Sequence, residues 1–395
     1  MNWMRTAMAA FAALCLPLQA AFAAETAETE ETLIKQIRAA AQQYDGIADR
    51  GVSQAPDLTQ VRDLYLRILK QAAASGSHSQ TMREMAEVYV LSGGEPGILA
   101  NWKEGLDPGS TEGKIFEGVL AYGEGKTMDA ETKLLRFDPV SMTPWRGGHL
   151  ALAQALLTVR TDAKRAFHYL SIAALLLPGT LVEEAALRQS AILAARTAGA
   201  AEFSTAITAY FRRFPRSAYL PGFEGQAVFY IVRFGDKDGS RILQDLLYAL
   251  PEGWGRCLSC FLTTIAEQAL LTGKIELAGN ASAAAMPLAA SDSRERQRLL
   301  IYSGAAMFLG GKFQDGLASL NSVQPAKLSE NDRSLLDATL AVTDKVRKTP
   351  VLLSQAERSA ALRPVKGNRA FPVSGPEEAA RRALAAAETT LNSAQ

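Results

Sequence analysis

Histidine and cysteine are scarce, with three of each in 395 residues. Metal sites and imidazole catalysis both need such groups to converge. His78, His149 and His168 are not paired at i, i+3 or i+4, and each reads as a solvated or capped side chain. No metal ligand is assigned among them. A dominant charge is missing too: 42 basic residues against 41 acidic leave a formal net charge of +1. That balance creates no long-range field for nucleic acid or an anionic membrane, so no nucleic-acid partner is expected. There is no G-x-S-x-G elbow and no H-E-x-x-H pair. The glycines of SGGEPG (92–97) lack the Lys-Ser/Thr of a phosphate loop and read as a hairpin turn. No catalytic residue, cofactor or small-molecule substrate is therefore assigned. Carboxylates are plentiful, which keeps an exported, all-helical glycan-acting enzyme open as an alternative.

Long apolar runs are absent after the first two dozen residues, so the mature chain is expected to contain no membrane span. Residues 1–24 read as a signal peptide: Arg5, the apolar run TAMAAFAALCLPLQ, and the small-x-small pattern Ala21-Phe22-Ala23. Cleavage is expected after Ala23 or Ala24, leaving a protein outside the cytoplasm, in the periplasm. A membrane anchor is the weaker reading, because the run is short for about 30 Å of hydrocarbon. Export leaves Cys257 and Cys260, in GWGRCLSCF, as the mature cysteines. They fit inert buried thiols, a structural disulfide in an oxidising compartment, or a redox pair. The βαβ setting of thioredoxin-type use is not evident.

What the chain does have is helix punctuation. Hydrophobic residues make up 48% and charged residues 21%, enough to bury a core. Runs rich in Ala, Leu, Glu, Arg and Gln recur, with almost no strand-like alternation. Pro108, Pro139, Pro178, Pro215, Pro251, Pro287 and Pro325 follow such runs at spacings of 31, 39, 37, 36, 36 and 38. Before each, by 12 to 16 residues, stands a turn residue: Gly94, Gly125, Asp162, Gly199, Gly239, Gly273 and Gly311. A glycine cap ending one helix and a proline ending the next define a helical hairpin. The expected fold is all-α: a tetratricopeptide-like α-solenoid of about seven hairpins over residues 58–349. Small residues five positions past the turn, at Ala130, Ala278 and Gly316, would let paired helices approach closely.

Within TLVEEAALRQSAILAART, Thr180 and Glu183 form a capping-box pattern. Leu181, Ala185, Leu187, Ile192 and Ala195 are the expected apolar stripe, with Glu183, Glu184, Arg188 and Arg196 outside it. Aromatic and basic residues gather in AYFRRFPRSAYLPGFEG (209–225). Phe211 and Phe214 read as core. Tyr210, Arg212, Arg213, Arg216 and Tyr219 are either a helix end complementing its dipole or a partner-contact patch. Flanking the array are an acidic lead with an N-terminal helix (25–57), a linker (350–376) and a polar C-terminal helix (377–395); LTQVRDLYLRILKQAAA reads as a helix around 58–74 that leads toward the first unit. From Lys345 onward nine basic residues face four acidic ones.

Three segments, EVYVLSGGEPGIL (87–99), LLPGTLVEEAALRQS (176–190) and YFRRFPRSAYLPGF (210–223), resemble the MotC family of periplasmic flagellar motor proteins. The match is firmest over roughly 85–230, and the two cysteines belong to no family pattern. The resemblance implies a non-enzymatic accessory of motor rotation that binds and stabilises the periplasmic part of the stator protein MotB. A general periplasmic scaffold for envelope or secretion assemblies is the other non-enzymatic reading.

Overall fold

The computed structural model describes residues 30–46, 48, 58–250 and 258–348. Every regular element among them is helical, and no strand occurs. The expected signal peptide, the 350–376 linker, the C-terminal helix, Pro251 and Cys257 lie outside the described residues. The described residues up to Ala341 form one compact unit and those from Val342 belong to a second; the hairpins all belong to the first.

Helix α1 covers residues 30–45. Next come α2 (Leu58–Ala74), at the bounds expected from its pattern, α3 (Gln80–Leu91) and a 3-10 helix, Pro96–Trp102. Six hairpins follow. They are α4 (Thr111–Gly123) with α5 (Thr127–Leu134), α6 (Pro144–Thr158) with α7 (Ala163–Leu176), and α8 (Leu181–Thr197) with α9 (Ala200–Arg213). After these come α10 (Leu220–Arg233) with α11 (Gly235–Ala249), α12 (Leu258–Leu271) with α13 (Ile275–Ala285), and α14 (Arg294–Leu309) with α15 (Phe313–Asn321). The last described helix is α16 (Glu330–Lys348). The unit closed by Pro108 departs from the expected count, because its second arm is the 3-10 helix rather than an α-helix.

Glycine and proline do the expected work at most turns. Gly125, Gly273 and Gly311 take positive φ, and the residue after each donates back to the helix (Lys126 to Ala121, Lys274 to Ala269, Lys312 to Met307) at 2.7–2.8 Å. These bonds satisfy carbonyls that a helix end would otherwise orphan. Gly239 is a correction. The turn between α10 and α11 is made by Gly235 (φ 88°), while Gly239 lies inside α11. A Cβ at Gly239 would come within 2.7 Å of the Ile231 carbonyl, so that glycine serves close packing. Likewise Gly93, not Gly94, carries the positive φ after α3. The small residues past the turns behave as expected: Ala130 and Ala278 are fully buried, and a Cβ at Gly316 would lie 2.7 Å from the Phe308 amide.

Successive hairpins pack in register. First helices stack α10 on α12 on α14, and second helices stack α9 on α11 on α13. One core runs through α8–α16 and another through α1–α6, with a smaller one beneath α6–α8. Because α8 is packed on two sides, its burial is not the single stripe expected. Val182, Ala186 and Leu193 enter the smaller core, Leu181, Ala191 and Ala194 the larger, and Ala185, Leu187, Ile192 and Ala195 are only partly buried. Helix α1 links distant parts of the unit. Leu33, Ile37 and Ala40 enter the α1–α6 core, and Asp45 Oδ1 accepts the Leu181 amide at the start of α8 at 3.1 Å.

Candidate functional site

The aromatic–basic stretch forms the end of α9 and the loop into α10. Its amphipathic spacing turns Phe203, Ile207, Tyr210 and Phe211 inward and leaves Arg212 and Arg213 exposed in the last turn, where they complement the helix dipole. Arg213 Nε meets both Glu183 carboxylate oxygens at 3.2 Å, and its guanidinium sits 5.5 Å from the Phe214 ring centroid. Arg216 is exposed and Tyr219 half-buried, with the Arg188 guanidinium 5.1 Å from the Tyr219 ring centroid. Tyr210 leaves the expected contact set. It is fully buried, with its ring 4.6 Å from that of Phe223.

Beneath this surface Glu184 is fully buried, contrary to the outward position expected for it. Its carboxylate accepts from Tyr210 OH at 2.7 Å, from Ser217 OH at 3.2 Å, and from Arg188 Nε and Nη2 at 3.1 and 3.2 Å. Burial, then the Glu184 charge, raises the Tyr210 pKa, so the hydroxyl stays a donor. The arrangement ties α8, α9 and the following loop together, and it holds the arginines above it. Glu183 also departs from the pattern: Thr180 caps α8 as expected, but the Glu183 carboxylate takes the Gly179 amide at 2.5 Å rather than that of Thr180.

A second ionic centre joins α3, α4 and α6. Arg146 is 4% exposed and lies 2.7 Å from Glu87, 2.7 Å from Glu112 and 3.6 Å from Glu84. Burial pushes the Glu87 carboxyl up to about 7 against the opposing pull of Arg146. Nearby, Tyr44, Asp45, Tyr65, Tyr89, Trp145 and His149 line a cavity of about 40 Å³, room for a few water molecules and little else. His149 Nδ1 donates to the Trp145 carbonyl at 2.8 Å, and burial pushes the ring down to about 4, so it is neutral. Asp45 is raised by burial to about 6, yet its oxygen is engaged in capping α8. Glu87 is thus held by an arginine and Asp45 by a helix end, while Asp45 and Glu84 also line an open cleft of about 460 Å³ with Arg38, Thr81 and Trp145.

Cys260 is disulfide-bonded, and Cys257, its expected partner, lies outside the described residues. His78 and His168 are exposed. Among the described residues no group of three or more His, Cys, Asp or Glu side chains is placed to hold a metal ion. None of their helices is long and apolar enough to cross a membrane. Sequence spacing could not reveal either ionic centre in full, since beyond Arg188 the partners of Glu184 stand 26 and 33 residues away and Glu112 stands 34 from Arg146.

Comparison with known proteins adds what side-chain geometry cannot. The chemotaxis protein MotC of Rhizobium meliloti (strain 1021) is 29% identical over 358 residues, covering 89% of this chain and 80% of that protein. No solved structure matches. The family model described as chemotaxis protein MotC matches residues 83–395, carrying the likeness past position 230 to the last residue. A match over that much of its length means that the chain belongs to the MotC family of chemotaxis proteins.

Proposed function

We propose that this chain is a periplasmic accessory of the flagellar motor, required for rotation, which binds and stabilises the periplasmic part of the stator protein MotB. The observation that carries the reading is the MotC family match over residues 83–395, which ties the protein to motility. Stacked hairpins suit such a task. In a tetratricopeptide-like solenoid, which is how we read residues 58–349, each repeat contacts its neighbours and offers side-chain area to a partner. Export with cleavage after Ala23 or Ala24 would deliver the chain to the compartment of that partner. The disulfide at Cys260 supports an oxidising location. No catalytic step is part of the proposal, and the buried carboxyls have structural partners.

Deleting the gene tests it. Cells should assemble flagella and fail to swim, with swimming restored by the wild-type gene. Normal swimming in the deletion strain would overturn the motor role.

A further inference from the structure

The outer face of α10 has two glycines that its own fold does not require. Gly222 and Gly225 are helical, and a Cβ at either would meet nothing within 4 Å. A helix-interior glycine costs about 1 kcal/mol relative to alanine. Gly239 and Gly316 are explained by close neighbours; Gly225 is not. Past Gly225 on the same face come Phe229 at i+4 and Val232 at i+7. The neighbouring helix α12 presents Thr264 and Gln268 at i and i+4, with Thr272 in the turn just past its end. Between these rows runs a groove of about 410 Å³ with Val228 and Val232 among its lining residues.

Phe229 is 59% exposed at the groove and Leu271 60% exposed on α12. Leu309 (55%) repeats this at the corresponding end of α14, so apolar surface recurs along three stacked first helices. Apolar side chains left exposed beside a groove supply contact area that an interaction site needs. Charge selects the occupant. Arg233 and Lys274 line the groove and no carboxylate does. Neither cation has an ion-pair partner among the described residues. A basic segment would be repelled, and a wholly apolar one would desolvate both cations unpaired.

We propose that the α10–α12 groove docks an acidic amphipathic helix of the partner. A bulky apolar side chain enters the notch at Gly225, and carboxylates reach Arg233 and Lys274. This rests on the motor-accessory reading and gives that reading a surface. The aromatic–basic loop at 210–219 lies on the preceding hairpin and is a separate surface.

Titration calorimetry of the purified full chain with the purified periplasmic part of MotB tests it. Gly225→Leu fills the notch and favours the helix, so its Tm should be equal or higher while affinity falls at least tenfold. The double variant Arg233→Glu, Lys274→Glu should lose at least tenfold with Tm unchanged. Tyr248→Ala, at an exposed position on α11, should stay within twofold of wild type. Groove variants that bind like wild type overturn the groove and leave the motor reading intact. Absence of binding by the wild-type chain removes that reading and this proposal with it. A wild-type dimer dissolved by Gly225→Leu would also overturn the proposal, by assigning the groove to a second copy of the chain.

Discussion

Around Arg146 three carboxylates gather on one guanidinium, whereas around Glu184 one carboxylate is served by Arg188, Tyr210 and Ser217. Both centres are buried and both staple helices, but their excesses are opposite. Burial, against the pull of Arg146 and with Glu112 and Glu84 adding to it, leaves Glu87 with a carboxyl pushed up to about 7, near the point where it gains or loses its proton in ordinary conditions. An excess of donors leaves Glu184 fully engaged. The helices around residues 80–150 are thereby coupled to pH, and the hairpin α8–α9 is held by a neutral phenol that does not titrate in that range. Burial of charge is therefore one architectural device with two different chemical consequences.

Removing the central cation is the harshest test of that contrast. Arg146→Met should destabilise the chain by about 3–5 kcal/mol at pH 8, because it strands Glu87 in an apolar setting. The loss should shrink at pH 5, where the stranded carboxyl is neutral. Denaturant unfolding at the two pH values reads this, and an equal loss at both would break the acid-rich side of the comparison. On the other side, Tyr210→Phe deletes one donor to buried Glu184 and should cost about 1–3 kcal/mol. That cost should not vary between pH 6 and pH 8.

A smaller effect sharpens the comparison through protons alone. Glu87 is raised in the folded state from 4.5 to about 7 and Asp45 from 3.8 to about 6. The folded chain holds those protons more tightly than the unfolded one, so both groups add stability as pH falls from 7 toward 5. His149 acts the other way. Its folded value drops from 6.5 to about 4, so the unfolded chain gains the proton first and stability is lost over the same fall. The two carboxyls outweigh the single histidine, so the wild-type Tm should rise modestly from pH 7 to pH 5. Glu87→Gln should lower the Tm on acidification relative to wild type, and His149→Gln should raise it. Parallel Tm curves for all three proteins would mean that these groups do not titrate as described.

Much of the fold was legible in local punctuation. The apolar period of LTQVRDLYLRILKQAAA marked α2 at both ends, and Gly125, Gly199, Gly273 and Gly311 marked turns because positive φ suits glycine. Gly239 misled for a physical reason: a helix-interior glycine forced by a neighbouring carbonyl looks, in sequence, like a turn. Glu184 misled because an i,i+4 Glu–Arg pair reads as solvent-exposed when its other partners are distant in the chain. Thr180 was recoverable as a cap, since capping is a contact over three residues. The Phe229–Gly225 face was not recoverable, because an open notch is defined by atoms that are missing from a neighbouring helix. Aromatic and basic content drew attention to 210–219, where Tyr210 turns out to serve the core.

The proposed docking groove lies on the regular hairpins of α10 and α12, away from the acid-rich centre at Arg146. Hydrogen–deuterium exchange of the full chain, alone and with the periplasmic part of MotB, measures this directly. Slowed exchange over residues 225–233 and 264–274, with 84–89 and 145–149 unchanged, is the predicted result. Slowing confined to 84–89 and 145–149 would contradict it and move the binding surface to the acid-rich end.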